Sequence, residues 1–303
     1  MKRVSFLFVI IAFVTTSVFA ETNEDVIYIK SVKFATPLLE QWITEYAKLN
    51  PEVQFAIADK NTPAEEVDIQ LLPSDVPSNN NYAFSIGRYA VLPIAGKDNT
   101  LLTEFQKKKL NTKRLKELYF EKELEEDEYE PAKDKYNATI YSVSHASSVS
   151  NAFANHFGYE VSKLKGKKIS GDDIFLLNAV QKDNTGVSFN NLSYVFDINS
   201  RQLKANIVLL PLDLKKEYSE VIAEANLDKI INLLETRPID LIPVDEINFI
   251  VSKAVDTRAE QFLQWVISEG QTYNHQYGFL KVDKETLAIQ QKQVENLLLG
   301  YTK

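Results

Sequence analysis

The chain has 303 residues, 45% hydrophobic and 25% charged, proportions that exclude a disordered or fibrous protein and suggest about two domains. Lys and Arg number 34 against 42 Asp and Glu, a net charge of −8 that excludes wholesale phosphate-backbone binding, so no nucleic-acid partner is expected. Cysteine is absent, which excludes disulfides, Cys-zinc sites, iron–sulfur clusters and thiol nucleophiles.

The chain opens with Lys2 and Arg3, an apolar stretch from Phe6 to Val14, and small residues at Val18 and Ala20. Those three parts read as a cleavable secretory signal peptide over residues 1–20, and the expected compartment is the periplasm. The polar run Thr15 to Ser17 interrupts the stretch too early for a membrane span, which needs about twenty apolar residues. Loss of Lys2 and Arg3 would leave 32 basic against 42 acidic residues, a net charge of −10.

Asp25 to Val32 alternates β-branched and aromatic residues and predicts a strand. Thr36 and Pro37 follow as N-cap and first helical residue. Leu38, Leu39, Trp42, Ile43, Tyr46 and Leu49 then recur at helical spacing, until Asn50-Pro51 stops the helix. Val53 to Ala58 predicts a second strand, and the resulting βαβ unit implies a parallel sheet. Asp68 to Leu72 is a short third strand, and Phe84 to Ile94 a longer one broken at Pro93.

Residues 104–135 are charge-dense, and Leu110, Leu115, Leu118 and Tyr119 suggest that the first part packs as a helix. The acidic run Glu121 to Glu128 reads as a solvated face or loop. Ala138 to Ser142 is strand-like, and the Ser-rich turn Ser144 to Ser150 leads into a helix through Ala152, Phe153, His156 and Phe157 that ends at Gly158. A helical run follows Asp172-Asp173. Strands are expected at Gly186–Phe189, Ser193–Phe196, Asn206–Leu210, Ile239–Ile242 and Asn248–Lys253, with two helices across 214–236. The last helices carry Phe262, Trp265 and Val266, then Ile289, Val294 and Leu297.

Two segments carry a family resemblance. Lys33 to Trp42 (KFATPLLEQW) resembles the opening of the periplasmic phosphate-binding component of ABC importers, in which a strand enters a Ser/Thr-Phe-x-x-Pro turn. Phe34, Pro37 and Trp42 match, and Lys33 stands where that family has Ser or Thr. Phe262 to Gln271 (FLQWVISEGQ), followed by Tyr277-Gly-Phe-Leu280, resembles the family's closing signature F-L-x-W-x-x-x-x-G-Q and G-Y/F-x-x-L. Asp68 resembles the Asp opening the family's third strand, and Asn184 to Tyr194 its internal Ile-Gly-Tyr strand.

The resemblance implies an α/β type II periplasmic-binding-protein fold, with two α/β lobes joined by crossover strands. Residues 21–92 and 245–303 would form lobe 1, and residues 93–244 lobe 2. It also implies a solute-binding protein that closes on a phosphate-like oxyanion and delivers it to an inner-membrane ABC permease, without cofactor or catalysis. The implied ligand residues are Lys33, Phe34, Asp68, Ser147, Ser148 and Val149.

The departures from that pattern define an alternative. Strand two ends Ala58-Asp-Lys-Asn-Thr-Pro63 without the family's glycines, and Val143 stands at the usual Arg position. Losing a bidentate guanidinium removes the strongest anion contact that a side chain offers. The fold could then persist as an envelope accessory protein, for example beside a TonB-type energy-transducing complex, with no small ligand. No metal site is expected, because His145 and His156 have no third ligand at metal spacing, and no Gly-x-Ser-x-Gly elbow or phosphate-cradling Gly-rich loop occurs.

Overall fold

The computed structural model describes residues 26–73, 81–121, 136–144, 149–252 and 256–300, with side chains as far as residue 296. The expected signal peptide and the acidic run from residue 122 onward lie outside the described residues, as do Ser147 and Ser148.

The chain enters through β1 (Val26–Ser31), α1 (Thr36–Leu49) and β2 (Gln54–Ile57), with β1 and β2 parallel as the βαβ reading requires. α1 buries Leu38, Leu39, Trp42 and Tyr46, while Leu49 at its end is exposed. Thr36 is the first helical residue instead of the cap, and its hydroxyl turns back to donate to Val32 O at 3.2 Å.

β3 (Ile69–Pro73) lies parallel to β1 on its other side. β4 (Asn81–Gly96) is a single strand of 16 residues, unbroken at Pro93. Strand geometry places Pro93's nitrogen on the same side as its carbonyl, which accepts from Leu210 N at 2.9 Å. That side faces away from the Gly186–Asn191 strand on which Pro93 sits opposite Phe189, so the missing N–H breaks no bond of that ladder.

Two short helices then replace the one helix expected, α2 (Leu102–Lys107) and α3 (Thr112–Tyr119). Leu110 sits between them, bridged to Leu212, and Asn111 caps α3 through Arg114 N. β5 (Thr139–Val143), α4 (Val149–His156), β6 (Lys167–Ile169), α5 (Ile174–Lys182) and β7 (Gly186–Asn191) follow.

The strand expected at Ser193–Phe196 is instead a helical turn, α6 (Leu192–Val195). Asn191 stops β7 and starts that turn by accepting Tyr194 N on its side chain at 3.0 Å, a capping preference that overrides the β-branched pattern. β8 (Ile207–Leu209), α7 (Lys216–Ala223) and α8 (Leu227–Thr236) come next. Ile239–Ile242, expected as a strand, forms a turn closed by Ile242 N on Ile239 O at 2.9 Å. β9 (Val244–Ser252), α9 (Thr257–Ile267) and α10 (Lys284–Gly300) complete the chain.

The described strands follow one hydrogen-bonded path, β2-β1-β3-β9-β4-β7-β5-β6, with β8 also on β4. The path changes partners within β4. Its first part, Asn81 to Ala90, runs antiparallel to β9, and its second, Val91 to Ala95, antiparallel to β7. β4 and the segment leading into β9 therefore cross between two half-sheets, each covered by its own helices.

The closing signature proves to be a structural staple. Gly270 O accepts the Trp42 indole N–H at 2.8 Å, and a Cβ on Gly270 would come within 3.2 Å of that nitrogen. The pairing of β4 with β9 shifts register between Ser85 and Gly87, which frees the Ile86 carbonyl. Gln271 Nε2 and Asn274 Nδ2 donate to that carbonyl at 2.9 and 3.1 Å. The Gly-Gln pair thus ties the C-terminal segment to α1 and to β4.

Candidate functional site

A cleft of about 290 Å³ lies between Ser31–Phe34, at the C-terminal end of β1, and Gly171–Asp173, the approach to α5 in the other half of the molecule. Carboxyl ends of parallel strands are the usual position for ligands in open α/β sheets. The turn after β1 is held by Ala35 N on Val32 O at 3.0 Å and by Thr36 N on Lys33 O at 3.3 Å.

Lys33 points across the cleft, with Nζ 3.8 Å from Asp172 Oδ2. The lysine side chain is 75% exposed and the aspartate side chain 8%. Phe34 is a core residue, stacked on Phe279 with ring centres 6.0 Å apart and tilted against Tyr89 at 5.1 Å. Its ring meets Tyr194 edge-on and its carbonyl accepts the Ser193 hydroxyl at 3.4 Å, so Phe34 joins the two halves behind the cleft.

Val149 opens α4, and its N–H donates to Asp173 Oδ2 at 3.3 Å. The first described amide of that helix is therefore met by a carboxylate of the chain itself. Ser150 is fully buried and its hydroxyl accepts Val143 N at 2.8 Å, which pins the helix start to the end of β5. Asp68 stands apart from the cleft. Its Oδ2 accepts Tyr28 N at 2.8 Å, three residues before Ser31 along β1, or roughly 10 Å back from the cleft at about 3.3 Å per residue. The structure thus brings Lys33, Phe34 and Val149 to one region and leaves Asp68 outside it.

Asp172 and Asp173 are the residues that sequence reasoning missed. Asp172 caps α5 by accepting Ile174 N at 3.0 Å, and it accepts a further hydrogen bond from Tyr194. One capping carboxylate satisfies that helix start, so the second Asp of the doublet was the available signal. Asp173 is 3% exposed, and its Oδ1 has no hydrogen-bond partner among the described residues. Burial pushes its carboxyl up to about 7, and Asp172's charge adds to the rise, while the Val149 N–H opposes both. Burial likewise raises the Tyr194 phenol, with Asp172 and Asp173 contributing. Tyr89, which donates to Asp245 Oδ2 at 3.1 Å, is raised by burial and then by that carboxylate.

Outside the cleft, the two halves are braced. Arg201 donates to His275 O at 2.7 Å, to Gln276 O at 2.8 Å and to Asp228 Oδ1 at 2.5 and 3.0 Å. Glu235 Oε1 meets His275 Nε2 at 2.7 Å and accepts Lys281 N at 2.6 Å. Gly278 has φ +80°, and a Cβ there would fall 3.1 Å from the Ser193 backbone.

A second cavity, an apolar groove of about 480 Å³, lies between Leu209–Leu214 and α7. It holds none of the residues expected to bind a ligand. Among the described residues no group of three or more His, Asp or Glu could hold a metal ion, and no helix is long and apolar enough to cross a membrane.

No family model matches the chain, and no curated protein matches it. Solved structures do. A proposed phosphate ABC transporter substrate-binding protein from Clostridium perfringens, with bound phosphate, aligns at 14% identity and a TM-score of 0.56, covering 85% of this chain and 100% of its own. An ABC-type phosphate transport receptor from Vibrio cholerae aligns at 13% identity and TM-score 0.52, covering 84% and 100%. A possible phosphate binding protein from Planctomyces limnophilus aligns at 12% and 0.51, covering 90% and 98%. Identities this low speak to the fold alone. The chain has the type II periplasmic-binding-protein fold, two α/β lobes joined by crossover strands.

Proposed function

We propose that the chain is a periplasmic solute-binding protein that closes its lobes on a small ligand and delivers it to an inner-membrane ABC permease. The observation that carries this reading is the cleft itself, in which Ser31–Phe34 of one lobe faces Gly171–Asp173 of the other, with a brace outside it. Lobe 1 comprises residues 21–92 and 245–303 and lobe 2 residues 93–244, so that the hinge falls where β4 changes partners. Closure about such a hinge sequesters a ligand from water.

A phosphate-like oxyanion is the ligand that the sequence resemblance implies. Lys33 supports it with an exposed ammonium, and α4 supports it with an N-terminus at the cleft. Asp172 and Asp173 oppose it, because two carboxylates outweigh one lysine when both are ionised. Phosphate is therefore expected to bind more weakly than in a site built from a guanidinium and free helix amides, by about ten- to a hundredfold for one lost charge-assisted contact. Calorimetric titration with phosphate and sulfate tests the reading. Saturable heat that Lys33→Ala diminishes supports the oxyanion site, and phosphate binding untouched by that substitution places it elsewhere.

One observation favours a second reading. Asp173 occupies the first described amide of α4 with the chain's own carboxylate. In that reading the fold serves as an envelope accessory protein with no small ligand. Co-purification with an energy-transducing complex, together with no heat from any oxyanion, would select it.

A further inference from the structure

We propose that the cleft recognises a protonated amine on its ligand, with Asp172 and Asp173 as the anionic pair and the Lys33 ammonium as the group that the ligand displaces. The inference rests on reading the cleft as the ligand site and specifies the ligand's class: an amine-bearing solute, including one that also carries an oxyanion.

Three observations lead there. The described ionisable groups that line the cleft are Lys33, Asp172 and Asp173, so a bound cation restores the balance that a bound anion would worsen. Asp173 lines the cleft, and among the described residues its buried Oδ1 has no donor. Ionised, a carboxylate oxygen only accepts, and an unmet buried acceptor is costly, whereas an ammonium carries three donors.

The third observation is Lys33 itself. Its Nζ already stands in the cleft beside Asp172, which demonstrates that an ammonium fits there. At 3.8 Å it is well outside the 2.7–2.9 Å of a tight charge-assisted bond, and its side chain is 75% exposed. Such a pair contributes little and gives way readily to a better-placed cation. Ile174 N donates to the other oxygen of Asp172 at 3.0 Å, so the carboxylate is already oriented. Once displaced, Lys33 is free to meet an anionic group on the same ligand. An amine with a phosphate or phosphonate at its other end would use both signs of charge.

The test compares phosphoethanolamine, ethyl phosphate and ethylamine by calorimetry on the wild-type protein and on Asp173→Asn and Asp172→Asn, with circular dichroism confirming that each variant is folded. We expect phosphoethanolamine to bind about tenfold or more tightly than ethyl phosphate, and the preference to shrink in at least one folded variant. Binding of ethylamine without ethyl phosphate would also support the amine site, while removing the oxyanion part of the functional reading. Ethyl phosphate binding as tightly as phosphoethanolamine would overturn the inference and leave the solute-binding reading standing. An amine preference that persists in full in both folded variants would overturn the assignment to these aspartates. Absence of heat with all three probes would overturn this inference together with the reading beneath it.

Discussion

The two places where the lobes meet are built differently. Outside the cleft, Arg201, His275, Glu235 and Gly278 join the lobes through several short hydrogen bonds and a close backbone approach. Across the cleft, a single lysine faces a single aspartate at 3.8 Å. The brace is closely bonded and the cleft pair is loose, the asymmetry that the proposed closure needs. The burial of charge follows the same division. The brace pairs Glu235 with His275 and Lys281 N, whereas among the described residues the cleft keeps a buried carboxyl with one oxygen unmet.

Breaking the brace should have the largest effect. Gly278→Val forces a β-branched residue to φ +80° and drives its Cβ against the Ser193 backbone, and a loss of about 4 kcal/mol is expected in denaturant unfolding.

At the cleft the sign reverses. Asp173's carboxyl is raised from 3.8 to about 7, so between those values the folded state holds a proton that the unfolded state has released. Its contribution to stability therefore falls as pH rises from about 4 to about 7 and is level above that. Asp173→Asn keeps an acceptor for Val149 N and should stabilise the protein by about 3 kcal/mol at pH 8, with little change at pH 4. Equal melting shifts at both pH values would contradict the buried-carboxyl account.

Smaller effects sharpen the contrast. Arg201→Ala removes donors from His275 O and Gln276 O and should cost about 2 kcal/mol, the Asp228 share being reduced by solvent. Lys33→Ala should change the unfolding free energy by less than about 0.5 kcal/mol, because its ammonium is mostly exposed. A large destabilisation by Lys33→Ala would mean that the cleft pair is structural, and the comparison between brace and cleft would fail.

The sequence discloses the architecture more readily than the site, for physical reasons. Helical spacing from Leu38 to Tyr46 between two β-branched runs leaves few arrangements besides βαβ. Trp42 and the adjacent Gly270-Gln271 pair are far apart in sequence but join in one staple, a contact that local spacing does not disclose. Ser193–Phe196 misleads because its alternation is real, but Asn191's capping oxygen takes the amide that a strand would have used. Asp172 and Asp173 stay hidden for a similar reason. A carboxylate before a helix reads as a cap, and Asp172 is one. Only the fold reveals that Asp172 also faces Lys33 across a cleft, with Asp173 buried beside it. Asp68 was conspicuous by position, but its carboxylate serves Tyr28 N within the sheet.

Ligand is expected to enter between Ser31–Phe34 and Gly171–Asp173. The most direct test is NMR mapping of backbone amides during titration with phosphoethanolamine. The account predicts the largest saturable shifts at Lys33, Asp172, Asp173 and Val149, with little change at the Arg201–His275 brace. Shifts confined to the apolar groove at Leu209–Leu214, with the cleft amides unmoved, would contradict it.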